Sequence, residues 1–167
     1  MKKDLAAALF GLALFASANE AHAQKYMATG VAETASGIEG GGGYNQALGR
    51  ARTRARIGAE LWIDESPADV LSTACLLDIE PRSAFGADAR YTRRVGEKWA
   101  FGAGAIGYFM PAMLLGPVAA AEYRYTITKS FVLAAGPEAN IFVLGGDLPD
   151  KTVVWQALFK VGVHVAF

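Results

Sequence analysis

Residues 153–167 read Val153-Val154-Trp155-Gln156-Ala157-Leu158-Phe159-Lys160-Val161-Gly162-Val163-His164-Val165-Ala166-Phe167. Every odd position is apolar, while the even positions include Gln156, Lys160, Gly162 and His164. Successive side chains of a strand point to opposite faces, so this period of two predicts a strand with one apolar and one mixed face. It is long against the ~5–6 residues usual for soluble strands.

The same parity runs upstream. Ala51 to Ile63 places Ala, Thr, Ile and Leu on odd positions and Arg50, Arg52, Arg54, Arg56, Glu60 and Asp64 on even ones. The alternation recurs over Leu71–Glu80, Phe85–Thr92, Trp99–Phe109, Ala119–Tyr125 and Phe131–Val143, with a weaker first strand over about Tyr26–Ile38. That predicts an all-β chain of eight strands. The segments 64–69, 95–98 and 128–130 are short polar connections, and they alternate with 39–49, 80–83, 111–116 and 145–152. An even strand count with both ends on one side suits an up-and-down antiparallel barrel. Gly40-Gly41-Gly42-Gly43 reads as a flexible loop tip.

The 167 residues are 53% apolar and 19% charged, and they carry no internal apolar run long enough for a spanning helix. With 16 basic against 16 acidic residues, the chain lacks the basic footprint of a nucleic-acid binder. One Cys excludes a disulfide framework. Lys2 and Lys3, the apolar stretch Leu5–Ala18 and the small-x-small site Ala21-His22-Ala23 have the layout of a secretory signal peptide, cleaved after Ala23. The expected domains are a signal at 1–23 and a barrel at 24–167. A membrane anchor helix is the weaker reading, because the apolar segment is short for a bilayer.

Alternation does not say which face is outside. Three features favour a transmembrane barrel, apolar to lipid and polar to lumen, over a soluble ligand-binding one. The odd face is nearly free of charge, with Arg93 the main exception beside a turn. Its aromatics gather near strand ends, with Tyr91, Trp99, Tyr125, Phe131 and Phe167 towards one rim and Phe85, Phe109 and Trp155 towards the other. The even face carries both signs of charge at mid-strand.

The chain resembles the small eight-stranded outer-membrane β-barrel family, the group containing the outer membrane protein A barrel domain. The most specific feature is the end, where Phe159, Val161, Val163, Val165 and terminal Phe167 are similar to the signal read by the barrel assembly machinery. The resemblance implies a Gram-negative outer membrane, with lipid and that machinery as partners. Unlike outer membrane protein A, the sequence is not expected to include a peptidoglycan-binding domain after the last strand.

Arg50, Arg52, Arg54, Arg56, Asp78, Glu80, Asp88, Arg90, Glu122, Arg124, Glu138 and Lys160 all have inward parity. A hairpin about Ser66 sets Arg54 opposite Asp78 and Arg52 opposite Glu80. Unpaired buried charges are expensive, so these groups are expected to pair as a polar plug. A narrow gated conduit for ions or small solutes is the alternative. Leu48, Ala51, Ala55, Ala59 and Trp62 also fit a helical stripe, which leaves an amphipathic helix as a rival for this segment. His164 has inward parity and no identifiable nucleophile beside it, so a lipid-modifying enzyme is a minor alternative. No cofactor is expected. One His and one Cys do not make a metal-ligand set. Cys75 faces lipid by parity. Pro137, next to Gly136, interrupts its strand and predicts a bulge or an opening. The loop 111–116, with Met110, Met113, Leu114 and Leu115, is apolar enough to touch lipid or a partner. The expected function is a structural or interaction barrel without an open pore.

Overall fold

A computed structural model describes residues 28–41, 50–63, 66–80, 83–146, 148 and 152–166. The expected signal segment, the loop 42–49 and Phe167 lie outside the described residues. The strands are β1 (Ala28–Gly41), β2 (Arg50–Ile63), β3 (Ser66–Glu80), β4 (Ala84–Val95), β5 (Trp99–Met110), β6 (Leu114–Thr128), β7 (Phe131–Phe142), the short β8 (Leu144–Gly145) and β9 (Val154–Ala166). Neighbours pair antiparallel in the order β5-β4-β3-β2-β1-β9-β7-β6, and β5 pairs with β6. The sheet therefore closes into an eight-stranded barrel. The two-residue β8 pairs with the start of β6 and lengthens one hairpin. Among the described residues, closure gives every long strand two neighbours, so none of them is an edge strand.

Side chains follow the pleat. Ile57, Leu71, Phe85, Phe101, Tyr125, Ile141 and Phe159 are exposed on the outside, while the even positions between them are largely buried. In β1 the phase is reversed, with Thr29, Val31, Glu33 and Ala35 buried. The register explains this, because Glu33 pairs with Arg56 and Ala35 with Arg54, so odd residues of β1 face even residues of β2.

Several expectations are corrected in detail. The arginine-rich segment is strand, not helix, and pairs with both β1 and β3. Gly40 and Gly41 are the end of β1, paired with Trp155 and Val154, and not a loop tip. A Cβ on Gly40 would stand 2.4 Å from the Trp155 ring, so a larger residue here would force that ring to shift. The loop after β5 is shorter than expected, because Leu114 and Leu115 open β6 opposite Tyr108 and Gly107. Pro137 makes neither a bulge nor an opening. It pairs with Phe159 of β9, and Ala120↔Glu138 and Tyr123↔Ala135 keep one alignment on either side of it. Between these pairs, 121–137 and 122–136 are missing from the β6–β7 ladder, as expected where proline offers no N–H.

The seam between the first and last strands can be checked by cross-linking. With Cys75 changed to Ser, Ala32→Cys plus Val163→Cys should form a disulfide, since these residues are ladder partners. Ala32→Cys plus Phe159→Cys, four residues out of register, should stay reduced. Failure of the in-register pair alone would show the seam to be open.

Candidate functional site: the charged lumen

Strands of inward-facing polar residues meet in a space just wide enough for side chains. On the side of the longer connections, Arg52 donates from Nε to Glu39 Oε2 at 2.8 Å and from Nη1 to Asp78 Oδ2 at 3.3 Å. The Tyr108 hydroxyl donates to Asp78 Oδ1 at 2.9 Å. Gln156 donates to Glu39 at 2.9 Å, and Asn140 donates to Gln156 at 3.0 Å and to Glu138 at 3.2 Å.

At mid-barrel Glu138 takes Arg54 on Oε1 and Arg90 on Oε2, the latter at 2.6 Å. Arg90 Nε also donates to Asp88 Oδ2 at 2.9 Å. Asp88 receives Arg56 through two parallel bonds, Nε to Oδ2 at 2.9 Å and Nη2 to Oδ1 at 3.1 Å, the planar fork that suits guanidinium and carboxylate. Arg56 then donates from Nη1 to Glu33 Oε2 at 3.0 Å and from Nη2 to Ser72 at 3.1 Å.

Towards the short turns, Lys160 Nζ bridges Glu33 at 3.3 Å and Glu122 at 2.6 Å. Arg124 joins Glu122 at 2.9 Å to Glu60 at 3.0 Å. His164 stands with Nδ1 3.2 Å from Glu60 Oε2 and Nε2 3.6 Å from Glu33 Oε1. A Cβ on Gly162 would lie 2.4 Å from Glu33 Cγ, so that glycine makes room for the carboxylate that holds this end together.

At mid-barrel and below, Arg54, Arg56, Arg90, Arg124 and Lys160 thus stand against Glu33, Glu60, Asp88, Glu122 and Glu138, while buried Glu39 and Asp78 are held above them by half-buried Arg52. The five cations and five carboxylates at mid-barrel and below are all buried. Local cancellation is what allows them to be: an ion in low dielectric costs several kcal/mol unless paired and hydrogen-bonded.

Some sequence-derived positions differ. Arg50 is exposed at the rim opposite Glu39, outside the buried network. Arg52 does not face Glu80. A register shift between Thr53 and Arg54 puts Glu80 opposite Thr53, and Arg52 turns to Glu39 and Asp78. The side chain of Glu80 lies outside the described residues. Arg54 is the ladder partner of Asp78, yet its ion pair is with Glu138. Glu33, Glu39 and Glu60 are central and were not among the predicted lumen charges. Glu33 and Glu39 were hidden by the reversed phase of β1, although two glutamates six residues apart at one parity were a usable signal. The lumen is also not wholly polar: Leu76, Ile106, Tyr108, Val118 and Phe142 form a buried apolar cluster, with Ala84, Leu114 and Val154 against it.

Of the terminal motif, Phe159 and Val161 are exposed on the outer wall, and Val163 and Val165 are half-buried. Cys75 is exposed on the same wall. Outside, at the short-turn rim, Trp99 packs edge-on to Tyr123 at 5.3 Å between centroids, with Lys98 Nζ 6.0 Å above the Tyr123 ring. Arg93 is also outside, 3.8 Å from Asp69.

Glu138→Gln removes the charge that Arg54 and Arg90 share. Breaking one side of a buried pair should cost about 3–5 kcal/mol in reversible unfolding. The double change Arg54→Met with Glu138→Leu should recover part of that loss, because Arg54 is no longer stranded, while Arg90 loses Glu138 and keeps only Asp88.

No family model matches the chain, and no curated protein matches it. Among solved structures, the crystal structure of Neisserial surface protein A aligns with 88% of this chain and 100% of its own at 16% identity, with a TM-score of 0.47.

Proposed function

We propose that this chain is an outer-membrane barrel of a Gram-negative envelope, with a closed, charge-filled lumen and a structural or interaction role rather than that of an open pore. One observation carries the reading: the barrel is inside out relative to a soluble protein. Ten paired charges are buried in the lumen, while Phe85, Trp99, Phe101, Phe109, Tyr125, Leu144 and Phe159 stand on the surface. In water such a belt far exceeds the apolar patch a soluble monomer tolerates. Against lipid it is the stable arrangement, and the closed ladder satisfies the backbone where no water can.

The rest of the reading follows from this. The turns at 96–98 and 129–130, and the strand ends Ile63 and Ser66, share an end with Ala28 and Ala166, which suits the periplasmic side. The leader 1–23 would direct export, and the assembly machinery would recognise Phe159, Val161, Val163, Val165 and Phe167. A catalytic role is no part of the proposal, since His164 lies inside the wall, where lipid does not reach.

The full-length gene product should be recovered in the outer-membrane fraction and should shift on a cold gel when boiled. Recovery from periplasmic extracts without detergent would overturn the assignment. In planar bilayers the wild type should be electrically silent, since the ion pairs and the apolar cluster fill the lumen. Steady unitary currents, altered by Arg54→Gln or Glu138→Gln, would establish the conduit instead.

A further inference from the structure

Glu33, Glu122 and His164 come from β1, β6 and β9, and one ligating atom of each lies within 4.8 Å of the others. All three are buried. Neither ring nitrogen of His164 has a hydrogen-bond partner among the described residues, although its side chain is only 2% exposed. Nε2 points between the two carboxylates, 3.6 Å from Glu33 Oε1 and 3.9 Å from Glu122 Oε2. On the other side of the ring, Nδ1 is 3.2 Å from Glu60 Oε2, which also lacks a hydrogen bond.

We propose that Glu33, Glu122 and His164 form a site for one divalent first-row transition-metal ion, which exchanges with the Lys160 ammonium. Metal–donor bonds of ~2.0–2.2 Å put adjacent donors roughly 3–3.6 Å apart, so the spacing here needs only small side-chain movements. An imidazole with two carboxylates selects zinc-like ions over magnesium or calcium. Glu60, 3.2 Å from Nδ1, is placed to become the outer partner that metal-bound histidines usually have, a carboxylate that accepts from the second ring nitrogen and fixes the tautomer once the ring turns to the ion.

Lys160 is part of the design. Its Nζ already bonds the same two carboxylates, so the position suits a cation, and ammonium and metal exclude one another. When displaced, Lys160 has Glu138 within its neighbourhood, two residues beyond its own ladder partner Gly136. The remaining charges around the site are Arg56 on Glu33 and Arg124 on Glu122 and Glu60, with Arg94 3.9 Å from Glu60. The inference does not depend on which membrane holds the barrel.

The test uses the untagged barrel folded in detergent, with Co²⁺ added either during or after folding, followed by visible absorbance and displacement by Zn²⁺. One equivalent of Co²⁺ should bind, with ligand-field bands that disappear on adding Zn²⁺. His164→Gln and Glu122→Gln should abolish the bands, and Glu60→Gln should weaken binding by roughly 10–100-fold. Lys160→Met should bind more tightly than wild type, because the ammonium that competes for Glu33 and Glu122 is gone. Misfolding cannot imitate that gain. No bands in wild type or Lys160→Met under either order of addition would overturn the proposal. Bands unchanged by His164→Gln would overturn it as well.

Discussion

Glu33 touches Arg56, Lys160 and His164 from the first strand, and through them it ties β1 to β2 and β9. The constraint behind this is spatial. Eight strands enclose little more than their own inward side chains, so a charge placed there has no water to fall back on. Each cation must find a carboxylate on another strand or on the next inward position of its own. Arg90 with Asp88 and Arg124 with Glu122 show the second solution, and Arg54 with Glu138 shows the first. Bonds of the first kind, such as Arg54 to Glu138 and Lys160 to Glu122, cross the lumen and brace strands that the ladder does not join.

Such bracing is not a simple source of stability. Desolvating ten charges costs much of what their attraction returns, and apolar replacement of a whole pair is often neutral or better. What the pairs supply is a fixed arrangement. Shifting β1 by one residue would turn Glu33 and Glu39 to the outer wall and strand Arg56 and Arg52 inside. The network therefore penalises wrong registers more than it favours the right one over the unfolded chain. The apolar cluster around Phe142 and Ile106 has the opposite character: it fills volume without demanding partners.

The two ends of the lumen also differ. Near the longer connections the polar groups include neutral amides and a phenol, Gln156, Asn140 and Tyr108. Near the short turns three carboxylates surround one imidazole. That end holds an imidazole with no hydrogen-bond partner on either nitrogen among the described residues, set between carboxylates, and it is there that chemistry beyond packing is to be sought.

Much of this was legible in the chain. Odd-position apolar runs from Val153 to Phe167 and from Ala51 to Ile63 determine strands, because a strand is the only element that sorts side chains with a period of two. A clean odd face with both signs of charge on the other gives the inside-out sense, since a charge facing lipid is costly at mid-depth. Pairing was not legible. A one-residue change in the connection between β1 and β2 reverses which residues of β1 face inward, and a single register shift at Thr53 moves Arg52 away from Glu80. Nor does parity say which inward residues meet across the lumen: Arg54 and Glu138 are 84 positions apart in the chain. The sequence alone sets the period and the polarity of each strand, because these are local. Partners belong to closure, because only the closed barrel brings β2 and β7 face to face.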